Sequence, residues 1–181
     1  MANSKRPTWA MDNPLMQQYY DLEWGIELHD ERALFEMLCL ETYQAGLSWQ
    51  TVLNKRDDFR AAFHNYDIDR VAQMSAAEIG TQLQNKKIIR NRLKLNATVN
   101  NAQVIVRMHD EGKTFNDYIW QFVDRHPQRL VVRSDGDLPA QTRLSVQVSK
   151  QMKKDRFKFV GPVTIYSYLL AVGVVNARLA D

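Results

Sequence analysis

Apolar residues recur along this chain at three- and four-residue spacing rather than in alternation, so helices are predicted almost throughout. Asp30 precedes a helix running to about Ala45, with Leu34, Met37, Leu38 and Leu40 among its apolar positions. Ser48 opens a helix to about Phe63 that buries Val52, Leu53, Phe59 and Phe63. Asp67 caps a short helix through Ala72, and Ser75-Ala76-Ala77-Glu78 fits a capping box that starts a helix to about Leu83. A long helix covers Arg92 to Glu111 and stops at Gly112; Thr114 opens another to Val123, before Pro127. The stretch from Gln128 to Ala140 is the least helical, with Leu130-Val131-Val132 as a short extended piece and Ser134 to Asp137 as a turn. Helical patterning resumes from Thr142 to about Lys154, and Pro162 suits the first position of a last helix that ends near Gly173. The expectation is an all-α protein of about eight or nine short helices, with no repeat or long linker.

One joint carries more chemistry than a helix turn requires. In Leu40-Glu41-Thr42-Tyr43-Gln44-Ala45-Gly46-Leu47-Ser48-Trp49, Gly46 supplies the left-handed residue that ends a helix and Ser48 caps the next. Glu41 and Trp49 are surplus to that task. Glu41 lies four residues from Met37 and three from Leu38, beside the buried stripe. It either braces the joint or lines a pocket. Trp9, Tyr19, Tyr20, Trp24 and Trp49 crowd the first fifty residues. Singly, each reads as core. Together with one carboxylate they form what a planar cationic ligand needs, rings for stacking and a charge to accept a hydrogen bond.

A chain of 181 residues suits a single domain. Its 45% hydrophobic and 25% charged residues are those of a globular protein. No run approaches the ~20 apolar residues that span a bilayer, and no signal peptide follows Met1-Ala2-Asn3-Ser4-Lys5-Arg6. The lone Cys39 makes no internal disulfide, which suits a cytoplasmic location. The net charge of +3 is unevenly spread. Residues 86 to 94 hold Lys86, Lys87, Arg90, Arg92 and Lys94 with no acid, and residues 150 to 158 hold five bases against Asp155. Such patches are either solvated faces or a polyanion-facing surface. A turn within the first run would aim backbone N–H groups and basic side chains at phosphates, although it lacks a glycine. His29, His64, His109 and His126 are not spaced as a ligand pair, so no metal site is expected from them.

Three blocks resemble the bacterial 3-methyladenine DNA glycosylase I family: Tyr19-Tyr20-Asp21-Leu22-Glu23-Trp24-Gly25; Leu34 through Glu41 with Ala45-Gly46-Leu47-Ser48-Trp49; and Phe157-Lys158-Phe159-Val160-Gly161 with Tyr166-Ser167 and Gly173-Val174-Val175-Asn176. Ile88-Ile89-Arg90-Asn91-Arg92 falls where that family places its DNA-binding hairpin. The resemblance implies a two-lobed helix-hairpin-helix glycosylase fold with a cleft between the lobes. One domain, 1–181, is expected, its terminal segments forming one lobe and helices from about residue 48 to 125 the other. It implies a base pocket of Trp9, Tyr19 and Trp49 with Glu41 as its catalytic carboxylate. Gln44 and Leu47 are then wedges that fill the gap left by an extruded base, or ordinary packing residues. Lys86, Lys87, Arg90 and Arg92 are the expected backbone contacts.

The family also holds a structural zinc near its chain ends. Here the corresponding positions read Pro7, Tyr20 and Arg178, and the chain stops at Asp181 before a fourth ligand. A metal-free protein with no cofactor is therefore expected. What the resemblance implies is excision of 3-methyladenine from alkylated double-stranded DNA by a monomer without membrane attachment. Two other readings stay open: a helical DNA-binding module without catalysis, which needs no pocket, and a small-molecule enzyme, which needs no basic hairpin.

Overall fold

The computed structural model describes residues 5–11 and 13–179, with Asp135 described through its backbone alone. Among these residues there are ten α-helices: α1 (Pro14–Leu22), α2 (Glu31–Gln44), α3 (Trp49–Asn54), α4 (Arg56–Ala62), α5 (Ile68–Ala72), α6 (Ala76–Gln82), α7 (Arg92–Asp110), α8 (Phe115–Trp120), α9 (Arg143–Lys154) and α10 (Pro162–Ala171). The fold is all-α apart from a two-residue parallel pair, β1 (Gln128–Arg129) with β2 (Val175–Asn176). Buried apolar side chains form one continuous cluster from Met16 to Ala177.

Local signals decide most helix starts. Asp30, Ser48, Asp67, Asn91, Thr114 and Thr142 each accept a hydrogen bond from a backbone N–H of the first turn. Ser75 and Glu78 close the expected capping box. Pro162 occupies the first turn of α10. Helix α1 is not among the expected elements, yet it carries a local signature, with Asn13 Oδ1 accepting from the Met16 N–H at 3.0 Å and Pro14 at the first position.

Two segments depart from the periodicity. The helix expected from Ser48 to Phe63 is broken at Lys55, whose backbone (φ −101°, ψ 4°) ends α3 and starts α4. Lys55 Nζ reaches the Lys87 carbonyl at 2.9 Å, and Arg56, next to the break, bonds both Glu23 and Glu36. The apolar pattern runs through a break that such polar contacts impose. The extended piece lies at Gln128–Arg129 rather than at residues 130–132. Its ladder is made by the N–H groups of Gln128 and Leu130, donating to Val174 and Asn176, and Val132 only bridges to Leu179. Hydrophobicity misplaces it because the side chains of Gln128 and Arg129 are exposed and the strand is held by backbone bonds.

The architecture brings the two ends of the sequence together around α2. Helix α10 packs on both α9 and α2, and the Tyr168 hydroxyl donates to the Leu34 carbonyl at 3.1 Å. Gly173 lets the end of α10 approach the α1–α2 loop, since a Cβ there would lie 2.5 Å from the carbonyl carbon of Ile26. Helix α7 crosses the other side. Its buried polar residues Lys94, Thr98 and Asn101 follow helical spacing and reach the end of α2, the Tyr43 hydroxyl and the α9–α10 connection.

Candidate active site

A cavity of about 420 Å³ opens between α1, the end of α2, α3 and α10. It is lined by Trp9, Met16, Tyr19, Trp24, Glu41, Gln44, Ser48, Trp49, Gln50, Leu138, Ser167 and Leu170. Thus the four residues expected to bind a base, Trp9, Tyr19, Glu41 and Trp49, converge on one space. Gln44 joins them at the rim.

The aromatic wall is mutually braced. The Tyr19 and Trp49 rings lie 5.3 Å apart, and Trp9 is 6.3 Å from Tyr19 and 5.6 Å from Trp24. Trp24 in turn stacks on Tyr20 at 5.5 Å. Tyr19 is buried, with its hydroxyl directed at Met37 Sδ, 3.7 Å away. Burial, and next the charge of Glu41, push its phenol well above the usual range.

Glu41 is 5% exposed, and its Oε2 has no hydrogen-bond partner. Burial alone raises its carboxyl from 4.5 to about 8. A buried carboxyl without a partner is costly to keep, and such groups cluster where ligands bind. Trp49 Nε1 is likewise buried and unpartnered. Glu41 and Trp49 both line the cavity, and each keeps a buried polar atom, a carboxyl oxygen and an indole N–H, without a hydrogen-bond partner. Glu36, on the same helix, is its counterexample: it is equally buried but bound by Arg56 and Arg60.

The joint after α2 projects outward. Gly46 adopts φ +81°, nothing lies within 4 Å of a Cβ placed there, and Leu47 is 40% exposed. Lys86, Lys87, Arg90 and Arg92 are exposed on the connection between α6 and α7 and at the start of α7. Lys94, read from the sequence as part of the same charged run, is instead 6% exposed and turned inward. The second run stays outside, on α9 and the α9–α10 connection, where Asn100 and Asn101 hold the backbone of Arg156 and Lys158.

The positions that the resemblance assigns to zinc do not fit a metal. Pro7 offers no donor, the Tyr20 hydroxyl accepts the Leu179 N–H, and Arg178 is a cation. Arg178 Nη1 donates to the carbonyls of Tyr20 and Trp24, each at 2.6 Å, and its guanidinium lies 4.4 Å from the Tyr20 ring centre. Asp181 lies outside the described residues. Among the described residues no group of three or more His, Cys, Asp or Glu side chains is arranged for a metal. None of their helices is long and apolar enough to cross a membrane.

Sequence reasoning missed Met16, Gln50, Leu138, Ser167 and Leu170 as lining residues, and it held Trp24 in the aromatic cluster without assigning it to the base pocket. Leu138, Ser167 and Leu170 reach the cavity only through the packing of the C-terminal half.

The methyladenine glycosylase family model matches residues 9–181. The chain is 42% identical over 172 residues to DNA-3-methyladenine glycosylase 1 of Escherichia coli, across 95% of this chain and 92% of that one. It is 40% identical over 176 residues to the DNA-3-methyladenine glycosylase of Haemophilus influenzae, across 97% and 95% of the two chains. A crystal structure of 3-methyladenine DNA glycosylase I superposes with a TM-score of 0.95 at 43% identity, covering 98% of this chain and 97% of that one. With the family model spanning nearly the whole sequence, and the fold and identity agreeing, the chain belongs to the methyladenine glycosylase family.

Proposed function

We propose that this protein is a base-excision repair glycosylase that flips 3-methyladenine out of alkylated double-stranded DNA and hydrolyses its bond to C1′. The observation that carries the reading is Glu41, a buried carboxyl with a free oxygen in an aromatic-walled cavity.

An adenine methylated at N3 and still attached to the sugar carries a positive charge. Trp9, Tyr19, Trp24 and Trp49 offer it ring faces, and Glu41 accepts a hydrogen bond from its exocyclic amino group. Before a base enters, Glu41 holds its proton up to about pH 8. An incoming cation favours the ionised form, so the proton leaves as the charge pair forms. The bond from N9 to C1′ then breaks with its electron pair passing to the purine, which departs neutral without a general acid. Water adds to the oxocarbenium carbon and releases its proton to solvent. Loss of the base's charge removes the partner that kept Glu41 ionised, and product is released.

Extrusion costs a few kcal/mol, less for a damaged base. Gln44 and Leu47, on the projecting joint, fill the vacated stack, while Lys86, Lys87, Arg90 and Arg92 hold phosphates from the neighbouring connection. The protein works as a monomer with two lobes, the central helices forming one of them. It needs no zinc, because Arg178 ties the chain ends. The test is release of free 3-methyladenine from methylated duplex, with affinity for undamaged duplex measured alongside. Base release supports the reading; duplex binding without release would indicate a DNA-binding module, and neither would leave the cavity to a small-molecule substrate.

A further inference from the structure

Lys94 is the exception in its charged run. Four bases around it are exposed, yet it is 6% exposed. Its Nζ donates to the carbonyl of Tyr43 at 2.8 Å and to that of Ala45 at 2.7 Å. These carbonyls belong to the last turn of α2 and the residue after it, where a helix leaves acceptors unpaired and its dipole is negative. The other bonds of the joint they begin are local, with Ser48 capping α3 through the Thr51 N–H. Ala45, Gly46, Leu47 and Ser48 are all exposed, and the Leu47 N–H bonds back to Gln44 at 2.7 Å.

Lys94 also sits in the first turn of α7, two residues after Arg92 and three after the capping residue Asn91. Thr98, one turn on, is tied to α2 in the same way, since its hydroxyl and that of Tyr43 are 2.8 Å apart. The start of α7 and the end of α2 are therefore one mechanical unit. That unit carries both the exposed bases Arg90 and Arg92 and the projecting joint.

We infer that Lys94 is a positioning residue for base extrusion: it fixes the Gln44–Ser48 joint to the start of α7, so that seating on the DNA backbone drives Leu47 and Gln44 into the stack. This rests on the assignment of those two residues as wedges. Lys94 does not line the base cavity, and although Gln44 and Ser48 of the joint do, Trp9, Tyr19, Glu41 and Trp49 lie outside the joint that it fixes. Its loss should therefore impair extrusion while leaving the pocket intact.

The experiment compares wild type with Lys94→Met, which keeps the stem and removes the ammonium, Lys94→Gln, which keeps a donor, and Lys94→Arg. Single-turnover excision is measured on a methylated strand annealed either to a full complement or to one with an abasic gap facing the lesion. Binding of free 3-methyladenine is followed by tryptophan fluorescence. Lys94→Met is expected to lose about tenfold on the paired lesion, the scale of one charge-assisted hydrogen bond. On the gapped duplex, where extrusion no longer has to break a pair, and in free-base binding, which needs no extrusion, it should stay within about twofold of wild type. Lys94→Arg should recover most of the paired rate. Should Lys94→Met fold poorly, Lys94→Gln, neutral and shorter, carries the same comparison through the loss of the charge and of one of the two bonds. Equal effects on paired and gapped duplexes, whether both unchanged or both lowered, would overturn the inference. Leu47→Ala separates it from the reading beneath. If Leu47→Ala cuts the paired rate alone but neither Lys94→Met nor Lys94→Gln does so, Lys94 is not the positioning group. If Leu47→Ala leaves the paired rate intact, the wedge assignment fails and the role of Lys94 fails with it.

Discussion

Replacing Glu41 by Gln should make this protein more stable and less active at once. Burial lifts the carboxyl from 4.5 in the unfolded chain to about 8 in the folded one. At about 1.4 kcal/mol per pH unit, ionisation then weakens folding by at most about 5 kcal/mol. The sign follows from the proton count. Below about pH 4.5 both states are protonated and there is no penalty. Between there and about pH 8 the folded state keeps a proton that the unfolded state has released, so stability falls as pH rises. Above about 8 the loss is complete. A glutamine in its place would keep the shape and never ionise. Urea unfolding at pH 5 and pH 8.5 should show Glu41→Gln near wild type at the lower value and more stable by several kcal/mol at the higher. Single-turnover excision should fall about ten- to a hundred-fold, the loss of a charged hydrogen bond worth roughly 1.5–3 kcal/mol. Wild-type excision should rise with pH towards about 8 and then flatten, a profile the variant lacks. A stability difference that does not change with pH, or a variant less stable than wild type at pH 8.5, would refute the reasoning and return Glu41 to the role of a brace. Unimpaired excision would end its assignment to the pocket.

Two further outcomes test the surfaces around it. Arg90→Ala with Arg92→Ala should lower the salt dependence of duplex binding by about two units of slope, one for each phosphate contact; an unchanged slope would make the basic run a solvated face. Elemental analysis should give well under one zinc per chain, and Arg178→Ala, which frees the Tyr20 and Trp24 carbonyls, should lower the melting temperature and change tryptophan emission; a stoichiometric zinc that survives dialysis would contradict this.

What the sequence disclosed divides by range. Caps and helix starts act over three residues, so Asp30, Ser48, Ser75 and Thr114 could be read directly, and the Asn13-Pro14 start of α1 is equally local. Aromatic clustering and one misplaced carboxylate, Trp9, Tyr19, Tyr20, Trp24 and Trp49 beside Glu41, are visible without coordinates, but the choice of Trp9, Tyr19 and Trp49 among the rings came from the family resemblance. Lys94 could not be separated from Arg90 and Arg92, since its burial depends on carbonyls some fifty residues earlier. The break at Lys55 was hidden for the same reason: the apolar spacing continues across it, and the groups holding it, Lys87, Glu23 and Glu36, lie elsewhere in the chain. Leu138, Ser167 and Leu170 were beyond reach because nothing local distinguishes a residue that faces a cavity from one that faces its neighbours.

The late arrival of α10 has a consequence for how the pocket comes into being. Glu41 leaves the ribosome more than a hundred residues before Ser167 and Leu170, the residues that close its cavity. At roughly 5–20 residues per second, it waits in water for several seconds. During that time it is an ordinary ionised carboxylate, and α2 carries a charge on the side where the cavity forms. Docking of α10 strips that carboxylate of its hydration, and at neutral pH it must take up a proton to be buried. Completion of the pocket thus calls for the uptake of one proton, which under the proposed function the same group gives back when a damaged base enters.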